Sequence, residues 1–402
     1  MIFLAVLGLV AGLPLIVVAG TADVERVSNP ATPLSPPETI QVEELWRLDG
    51  ESEDMVFGSI STAVADLDRT VYLLDSQLKE VIVIDKNGNL AARIGREGEG
   101  PGEFRAPVDL FVNPEGKVGI VQSMPGKFAM LSPDGDPVGD ISMIDLGEGG
   151  IEVLRSAVWV SEYPVLASSL YDNSDPIFRT RWDFISVVDP TTGKVIRYRE
   201  RCRKRDRANG RFLERERTLY SWPWEWTIGG DGTVYVNEAF DAYEIHVYDP
   251  CGDPVRIIER EYETRVREPE LVKRMQAYYD EATSGRRAAG GAPLSYEVAD
   301  SDQDIELLSA RDDGTLWVLS SRGAYDTGEE ELGTFDVFDA DGRFDRQVTV
   351  LGEGDFMVDD FFLTRDLLIV ARNTRVDLRE DADATDPDEQ EKESYEVICY
   401  RL

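Results

Sequence analysis

The sequence predicts an all-β fold, a six-bladed β-propeller built from four-stranded antiparallel blades. Two patterns that alternate along the chain carry this prediction. In the first, an apolar strand ends in Asp or Ser and runs into a turn closed by Gly. Asp accepts hydrogen bonds from nearby backbone N–H groups and Gly tolerates positive φ, so the pattern is typical of tight hairpins. It occurs as VIVIDKNG (81–88), FAMLSPDG (128–135), FISVVDPTTG (184–193), IHVYDPCG (245–252) and FDVFDADG (335–342).

The second pattern precedes these hairpins. It is a turn with Gly or Asp, followed by a run of β-branched or aromatic residues. A further strand follows each hairpin, so the unit has four strands, as in propeller blades. The third unit shows the second pattern weakly, as EYPVLAS (162–168), and the sixth ends with VICY (397–400). The clear copies are DLDRTVYLLD (66–75), NPEGKVGIV (113–121), GGDGTVYV (229–236), ARDDGTLWVL (310–319) and TRDLLIVA (364–371).

The sixth unit lacks a fourth strand, and a strand from the other end of the chain can supply it. The stretch TIQVEELWRL (39–48) precedes the first unit and has strand character. An open ring would leave two exposed sheet edges, which proteins avoid. The sequence therefore predicts a propeller over residues 39–402 whose ring is closed by this N-terminal strand.

A short helical insertion is predicted between blades four and five, over about residues 263–300. The segment EPELVKRMQAYYDE (268–281) places its apolar residues on one helical face. Pro269 suits the first turn of a helix. Because the interval contains no further set of strands, the sequence indicates six blades and not seven.

The glycine-rich stretch IGREGEGPGEFRAP (94–107) is interpreted as the link from blade one to blade two. A phosphate-binding loop would need a following helix and a GK[ST] or G-x-G-x-x-G spacing, which the stretch lacks. Three glutamates within it would also repel an anion. We expect its glycines to allow a tight path, Phe104 to pack between the blades, and Pro107 to begin a strand.

The residues 71–107, from VYLLD through the glycine-rich stretch, resemble an NHL-type repeat. As a whole, residues 39–402 are similar to bacterial six-bladed propellers of the NHL-repeat and TolB-like kind. The likeness is strong in blade one and looser in blades three and six. This resemblance implies a ring with a central channel and a binding face formed by loops at one mouth.

The N-terminus contains an apolar run over residues 2–19, followed by small residues. It is interpreted as a signal peptide or a membrane anchor over residues 1–22, followed by a tether rich in Pro and Ser over 23–38. The protein is therefore expected to be exported, to a periplasmic or extracellular location, and membrane contact is expected only through an uncleaved N-terminal segment. The three cysteines, Cys202, Cys251 and Cys399, match no zinc motif, and pairing of two of them stays open.

The charge of the chain limits the kinds of partner that it can bind. The formal net charge is −36, which argues against nucleic acid as a partner. One basic run, residues 200–217, interrupts the acidic chain and is interpreted as a solvated loop between blades three and four, with a surface for an anionic partner as the alternative. The acidic stretch 379–393 lacks EF-hand spacing and is interpreted as a mobile loop.

Six residues are candidates for the ligand-binding face because loops between blades, and between second and third strands, meet at one mouth of a propeller. Trp224 belongs to SWPWEW (221–226), whose tryptophans are interpreted as inter-blade core, with a ligand platform as the alternative. The candidates are Asp75, Arg105, Trp224, Glu238, Asp241 and Arg322.

A metal site is the alternative. Gluconolactonase-type propellers hold a divalent metal with Glu, Asn and Asp side chains in the channel. A likeness to them would imply a site for Ca²⁺ or another divalent metal near the starts of the inner strands, formed by Glu152, Glu225, Asp304 and Asp360. Inner-strand carboxylates are also expected in any water-filled channel. His246 is the only histidine, which nearly excludes the histidine-dependent lyases and amidating enzymes of this fold.

The predicted function is therefore a non-catalytic scaffold without a cofactor, which presents loops to a protein, peptide or glycan partner. No catalytic constellation stands out in the sequence. The alternative is a hydrolase or lactonase that depends on a divalent metal and uses the channel carboxylates.

Overall fold

The computed structural model shows a six-bladed β-propeller with four-stranded antiparallel blades, which confirms the predicted fold class. The structure describes residues 24–52, 55–142, 151–160, 163–172, 178–188, 195–206, 212–219, 226–286, 293–379 and 395–402.

The N-terminal segment provides the strands that precede blade one, of which β4 and β5 form a small hairpin. These strands are β1 (Glu25–Asn29), β2 (Glu38–Gln41), β3 (Glu43–Asp49), β4 (Glu51–Ser52) and β5 (Met55–Val56).

Blades one to three follow in chain order, and within each the sheet order is the chain order. Blade one consists of β6 (Ile60–Ala65), β7 (Val71–Asp75), β8 (Glu80–Ile84) and β9 (Leu90–Ile94). Blade two consists of β10 (Pro107–Val112), β11 (Val118–Gln122), β12 (Lys127–Leu131) and β13 (Pro137–Ser142). Blade three has longer strands, β14 (Ile151–Val160), β15 (Tyr163–Asp172), β16 (Phe178–Val188) and β17 (Val195–Asp206).

The links on either side of blade four carry extra elements. Before it come β18 (Phe212–Arg215) and α1 (Glu216–Leu219). The blade itself consists of β19 (Trp226–Ile228), β20 (Val234–Asn237), β21 (Glu244–Tyr248) and β22 (Pro254–Arg260). After it come α2 (Pro269–Thr283) and β23 (Leu294–Glu297).

Blades five and six complete the ring. Blade five consists of β24 (Ile305–Ala310), β25 (Leu316–Ser320), β26 (Glu331–Phe338) and β27 (Phe344–Leu351), with α3 (Ser321–Tyr325) between its second and third strands. Blade six consists of β28 (Asp360–Thr364), β29 (Leu367–Ala371), β30 (Glu396–Arg401) and the N-terminal strand β3. The first strands of blades six, one, two and three contact in series, as do those of blades four and five, so the first strand of each blade is the inner one.

The repeated turns have the chemistry that the sequence predicts. In blade one, Oδ1 of Asp85 accepts hydrogen bonds from the backbone N–H groups of Asn87 (2.8 Å) and Asn89 (2.9 Å). The N–H of Gly88 donates to the carbonyl oxygen of Asp85 at 3.0 Å, and Gly88 has a φ of 84°. Asp249 and Asp339 occupy equivalent positions in blades four and five and accept equivalent bonds.

The ring is closed by a strand from the N-terminus, as predicted, but the boundary differs. Strand β3 pairs antiparallel with β30 over Glu43–Asp49. Residues 38–41 do not take part, since they form β2 and pair in parallel with the outer strand β27 of blade five. The chain passes from one blade to the next at Val42, whose N–H donates to the carbonyl oxygen of Leu351 at 3.1 Å.

The expected tether is structured over part of its length. Strand β1 pairs in parallel with β22, the outer strand of blade four, from Glu25 to Asn29. The side-chain amide of Asn29 donates to the carbonyl oxygens of Glu259 and Gly342, both at 3.0 Å, and accepts from the N–H of Phe344 at 2.8 Å. Residues 25–49, here named the N-terminal belt, therefore run along the outer edges of blades four, five and six.

The hydrophobic core is a set of clusters, one at each of the six junctions between neighbouring blades. At the junction of blades six and one, Trp46 and Ile369 pack with Val71 and Ile82. At the junction of blades one and two, Phe104 of the glycine-rich link is fully buried. Gly95 has a φ of 77°, and a Cβ atom there would lie 2.6 Å from the Phe104 ring. The link is thus a packed connection, as predicted.

The predicted helical insertion is α2, and it is joined to the preceding link by a parallel strand pair. Strand β18 pairs with β23, and α2 contacts β23. The rings of Tyr279 on α2 and Tyr296 on β23 stack with centroids 4.2 Å apart. Two long excursions from the ring are therefore combined into one structure. Among the described residues, no helix is long and apolar enough to cross a membrane.

Closure by β3 can be tested with Trp46→Ala. The Trp46 side chain is 7 % exposed and packs between blades six and one. We expect the substitution to lower the free energy of unfolding by about 3–5 kcal/mol, because it empties a buried aromatic site. Urea unfolding would measure the loss, with Leu67→Ala at a 77 % exposed position as the control. An unchanged free energy of unfolding for Trp46→Ala would contradict a closing role for β3.

Candidate functional site

The candidate site is the mouth of the propeller, defined here as the end where the links between blades and the links between second and third strands lie. Two residues that the sequence predicts for this site, Trp224 and Glu225, lie outside the described residues. Glu152 is placed as a backbone position in β14. Trp226, the last residue of SWPWEW, is 8 % exposed and packs at the junction of blades three and four. Its Nε1 donates to Oγ of Ser156 at 3.0 Å, which favours a core role for this residue.

Asp75 is placed at the mouth but is fully buried and holds a turn together. Its carboxylate accepts hydrogen bonds from the backbone N–H groups of Gly58 (2.6 Å), Ser59 (3.1 Å), Gln77 (3.1 Å) and Leu78 (2.8 Å). A carboxylate that already accepts four backbone bonds has a structural task. It joins the link before blade one to the loop within blade one.

Arg105 and Glu238 lie apart from each other at the mouth and have different environments. Arg105 is exposed and pairs with Glu99 of the same link at 2.7 Å. Glu238 is largely buried, and its Oε1 accepts from the Tyr248 hydroxyl at 3.0 Å. His246 lies nearby on β21, the third strand of blade four. Its Nδ1 is 3.6 Å from Oε1 of Glu238.

Asp241 and Arg322 lie on opposite sides of a cluster of ion pairs between blades four and five, here named the mouth network. Its centre is Arg267, whose side chain is 8 % exposed. The Arg267 guanidinium donates two bonds to the carboxylate of Glu216, at 2.8 and 2.9 Å. Its Nε donates to Oδ1 of Asp302 at 2.5 Å. Paired geometry of this kind makes a charge-assisted hydrogen bond strong and directional.

The network continues outward in two directions. On one side, Arg265 bridges Asp302 (2.6 Å) and Asp326 (2.7 Å), and Arg322 lies 3.4 Å from Asp326. On the other side, Arg217 donates to Asp241, to Asp300 at 2.7 Å and to the hydroxyl of Ser301 at 2.9 Å.

Three segments distant in sequence are therefore fixed to one another at the mouth. They are α1 in the link before blade four, the insertion that carries Arg265 and Arg267, and the loop with α3 in blade five. Sequence reasoning identified Asp241 and Arg322 but missed the buried centre of the network. Arginine and acidic residues are so frequent in this chain that spacing alone does not show which of them pair.

Asp304 lies immediately before the inner strand of blade five and is 3 % exposed. Its Oδ1 has no hydrogen-bond partner among the described residues. Burial raises the pKa of Asp304 above its usual value, because removing a carboxylate from water disfavours its charged form. Asp360, at the start of the inner strand of blade six, instead pairs with Arg375.

Two inner-strand carboxylates were missed by the sequence analysis. Glu306 on β24 accepts a hydrogen bond from Nε2 of Gln303 at 2.7 Å, and burial together with the negative charge of Asp302 raises its pKa to about 8. Asp109 on β10 accepts from the N–H of Ala157 on β14 at 2.9 Å, so it connects the inner strands of blades two and three. Burial raises the pKa of Asp109 to about 7.

These four carboxylates do not form a metal centre in the described part of the chain. No group of three or more His, Cys, Asp or Glu residues there is arranged to hold a metal ion. Of the predicted metal ligands Glu152, Glu225, Asp304 and Asp360, the structure describes the side chains of Asp304 and Asp360. The carboxylate of Asp360 forms an ion pair with Arg375.

Comparison with known proteins agrees with the architecture. Residues 51–143 match a protein family described as a 6-bladed beta-propeller, DUF5128. No curated protein matches the chain significantly. The finer likeness to NHL-repeat and TolB-like propellers stays a prediction.

Solved structures cover almost the whole chain at low identity. A DUF4221-family protein from Bacteroides vulgatus is 11 % identical, with a TM-score of 0.50, over 90 % of this chain and 97 % of that chain. A putative exported protein from Bacteroides fragilis is 13 % identical, with a TM-score of 0.47, over 94 % and 99 %. The calcium-binding protein regucalcin from Agrobacterium tumefaciens is 10 % identical, with a TM-score of 0.42, over 90 % and 95 %. The likeness to the DUF4221-family protein, with its TM-score of 0.50, shows a shared fold, and at 11 % identity it does not extend to function.

The raised pKa of Glu306 predicts a pH dependence of stability. A carboxyl whose folded-state pKa of about 8 exceeds its value of about 4.3 in an unfolded chain contributes stability that is complete below pH 4 and is lost as the pH rises through 8. We expect Glu306→Gln, which cannot ionise, to reduce the fall in melting temperature between pH 5 and pH 8. Exposed Glu330→Gln is the control. The same fall in both variants and in the parent protein would contradict a raised pKa of Glu306.

Proposed function

We propose that the protein is an exported, non-catalytic propeller that binds a protein, peptide or glycan partner through the loops of its mouth. The observation that carries the proposal is the mouth network. It fixes α1, the insertion and α3 in one arrangement through the buried Arg267. Loops that are already ordered lose less conformational entropy when a partner binds them, which favours affinity.

The surface around the network offers exposed polar groups for recognition. Arg322 is 40 % exposed, and Arg217 is 38 % exposed. Arg105 and Glu99 lie exposed on the link between blades one and two. Exposed arginines at the edge of a rigid platform suit hydrogen bonding to a polar or acidic partner. Export is supported by the apolar N-terminal run of the sequence.

The alternative is a hydrolase or lactonase that uses Ca²⁺ or another divalent metal. One observation favours it, the buried Oδ1 of Asp304 that has no hydrogen-bond partner among the described residues. Such an oxygen is costly to bury and could be satisfied by a cation. A single unsatisfied oxygen is weaker support than the network, because metal sites of this kind need several oxygen ligands.

Thermal unfolding with metals separates the two functions. The melting temperature would be measured first with EDTA and then, after EDTA is removed, with calcium, manganese or zinc. We expect the same value in every case, because a scaffold without a metal site is not stabilised by these ions. A metal that binds only the folded state would stabilise it by RT ln(1 + [L]/Kd). A metal-dependent rise that is lost in Asp304→Asn, together with turnover of a lactone or ester, would overturn the scaffold proposal.

Partner binding itself is tested with a charge reversal at the mouth. The parent protein would be immobilised and exposed to an envelope extract of the source cells, and retained proteins and glycans identified. We expect Arg322→Glu to reduce retention of a specific partner about tenfold. Arg343→Glu, in an exposed turn between the outer strands of blade five, is the matched control. Equal retention by both variants would contradict binding at the mouth.

A further inference from the structure

Four of the six inner strands contain a β-bulge at the same register position, near the mouth of the channel. In blade one the pairing with the second strand shifts between Ile60 and Thr62, so Ser61 is the extra residue. The equivalent extra residues are Val108 in blade two, Arg155 in blade three and Glu306 in blade five. Bulges are frequent at the rims of closed sheets and beside functional sites, where they redirect a side chain.

The bulges separate buried residues from residues that are partly exposed. The residue before each bulge is buried, and Leu154 and Ile305 are examples with no exposed surface. Each of the four extra residues is instead partly exposed. On the side away from the second strand, these inner strands pair with no strand in the described part of the chain, because that side borders the channel. We therefore place the extra side chains at the mouth end of the channel.

Arg155 is a cation without an acidic partner. Its Nη2 donates to the hydroxyl of Tyr171 at 2.7 Å, and its buried Nε has no hydrogen-bond partner among the described residues. Carboxylates outnumber cations in this chain, and the buried Arg181, Arg260 and Arg267 each pair with one. A partly buried charge that stays unpaired costs free energy. Arg155 therefore indicates that the channel accepts an anion.

Two carboxyls of other inner strands leave the charge of Arg155 uncompensated. Burial raises the pKa of Asp109 on β10 to about 7. Burial and the negative charge of Asp302 raise the pKa of Glu306 on β24 to about 8. Below pH 7 both groups are therefore mainly uncharged, and a protonated carboxyl can donate as well as accept a hydrogen bond. Arg155 then determines the charge of this part of the channel.

Ser61 and Glu306 add polar groups at positions equivalent to that of Arg155. The buried Oγ of Ser61 has no hydrogen-bond partner among the described residues. The three residues belong to blades one, three and five, so they are spaced evenly around the six-bladed ring. A ligand that contacts all three needs an anionic group for the guanidinium and polar groups for a hydroxyl and a protonated carboxyl.

We propose that Arg155, Ser61 and Glu306 form a channel site for a small carboxylate that also carries hydroxyl groups, as a sugar acid does. The guanidinium would hold the carboxylate, since its planar N–H groups match the two oxygens. The hydroxyl groups of the ligand would bond to Ser61 and Glu306. The site lies on inner strands and not on the loops of the mouth, so this inference goes beyond the proposed function and does not depend on it.

The test uses the full chain and glucuronate as the probe. Binding is measured by isothermal titration calorimetry at pH 6, where both inner-strand carboxyls are mainly protonated. We expect a dissociation constant below about 1 mM for the parent protein. Arg155→Gln should weaken binding at least about tenfold, and Ser61→Ala about threefold. Arg343→Gln, in an exposed turn of blade five, is the matched control and should leave binding unchanged.

Two further readouts separate binding from a structural role of Arg155. Glucose lacks the carboxylate and acetate lacks the hydroxyl groups, so each should bind the parent protein at least about tenfold more weakly than glucuronate. This comparison does not depend on how well any variant folds. Because Arg155 has no acidic partner, Arg155→Gln should keep or raise the melting temperature of the protein without ligand.

Several outcomes would overturn the inference. They are no binding of glucuronate to the parent protein at low salt, equal affinity in Arg155→Gln, and equal binding of glucose or acetate. A melting temperature lowered by several degrees in Arg155→Gln would assign that residue to the stability of the ring instead. The mouth is tested separately by Arg322→Glu, so failure of the glucuronate experiment with intact mouth binding removes this inference alone. The reverse pattern removes the proposed mouth function.

Discussion

The structure depends on burial of apolar side chains between neighbouring blades. A blade is a thin sheet that has no interior of its own, so each of its faces must be covered by the next blade. Each of the six junctions contains such a cluster. The junctions on both sides of blade six include residues of the N-terminal belt, Val42 on one side and Trp46 on the other. Formation of the ring therefore requires the two ends of the chain to meet.

The features that the sequence predicts well are those set by local chemistry. Asp85 and Gly88 form their turn through bonds within five residues, so the motif alone determines it. Phe104 is a large apolar residue in a link between blades, so burial at the junction of those blades is the favoured position for its ring. Closure by a strand near residue 43 was predictable because a missing strand at one end of the chain matched an unpaired strand at the other. The repeat thus makes the architecture predictable from local patterns, although distant contacts complete the ring.

The features that the sequence does not predict depend on pairing between distant residues. Strands β1 and β2 have no turn motif, and parallel addition to an outer strand leaves no pattern within the added segment. Asp75 lies at the mouth as predicted, yet its carboxylate already accepts hydrogen bonds from four backbone N–H groups. Glu306 and Asp109 differ from ordinary strand residues only in their surroundings. For such residues the function is decided by neighbours that are remote in the chain.

The ring and the loops at its mouth are stabilised by different interactions. Hydrophobic burial holds the ring, whereas ion pairs hold the loops above it, with Arg267 between Glu216 and Asp302 as the most buried example. Removing one partner of such a buried pair leaves an uncompensated charge and is strongly destabilising, so the pair holds the loops in one arrangement. In a chain with 78 acidic and 42 basic residues, each arginine can find a carboxylate, and its location decides whether it orders loops or meets a partner. At the mouth, Arg265 and Arg267 order the loops, whereas the more exposed Arg322 lies at the edge of the network.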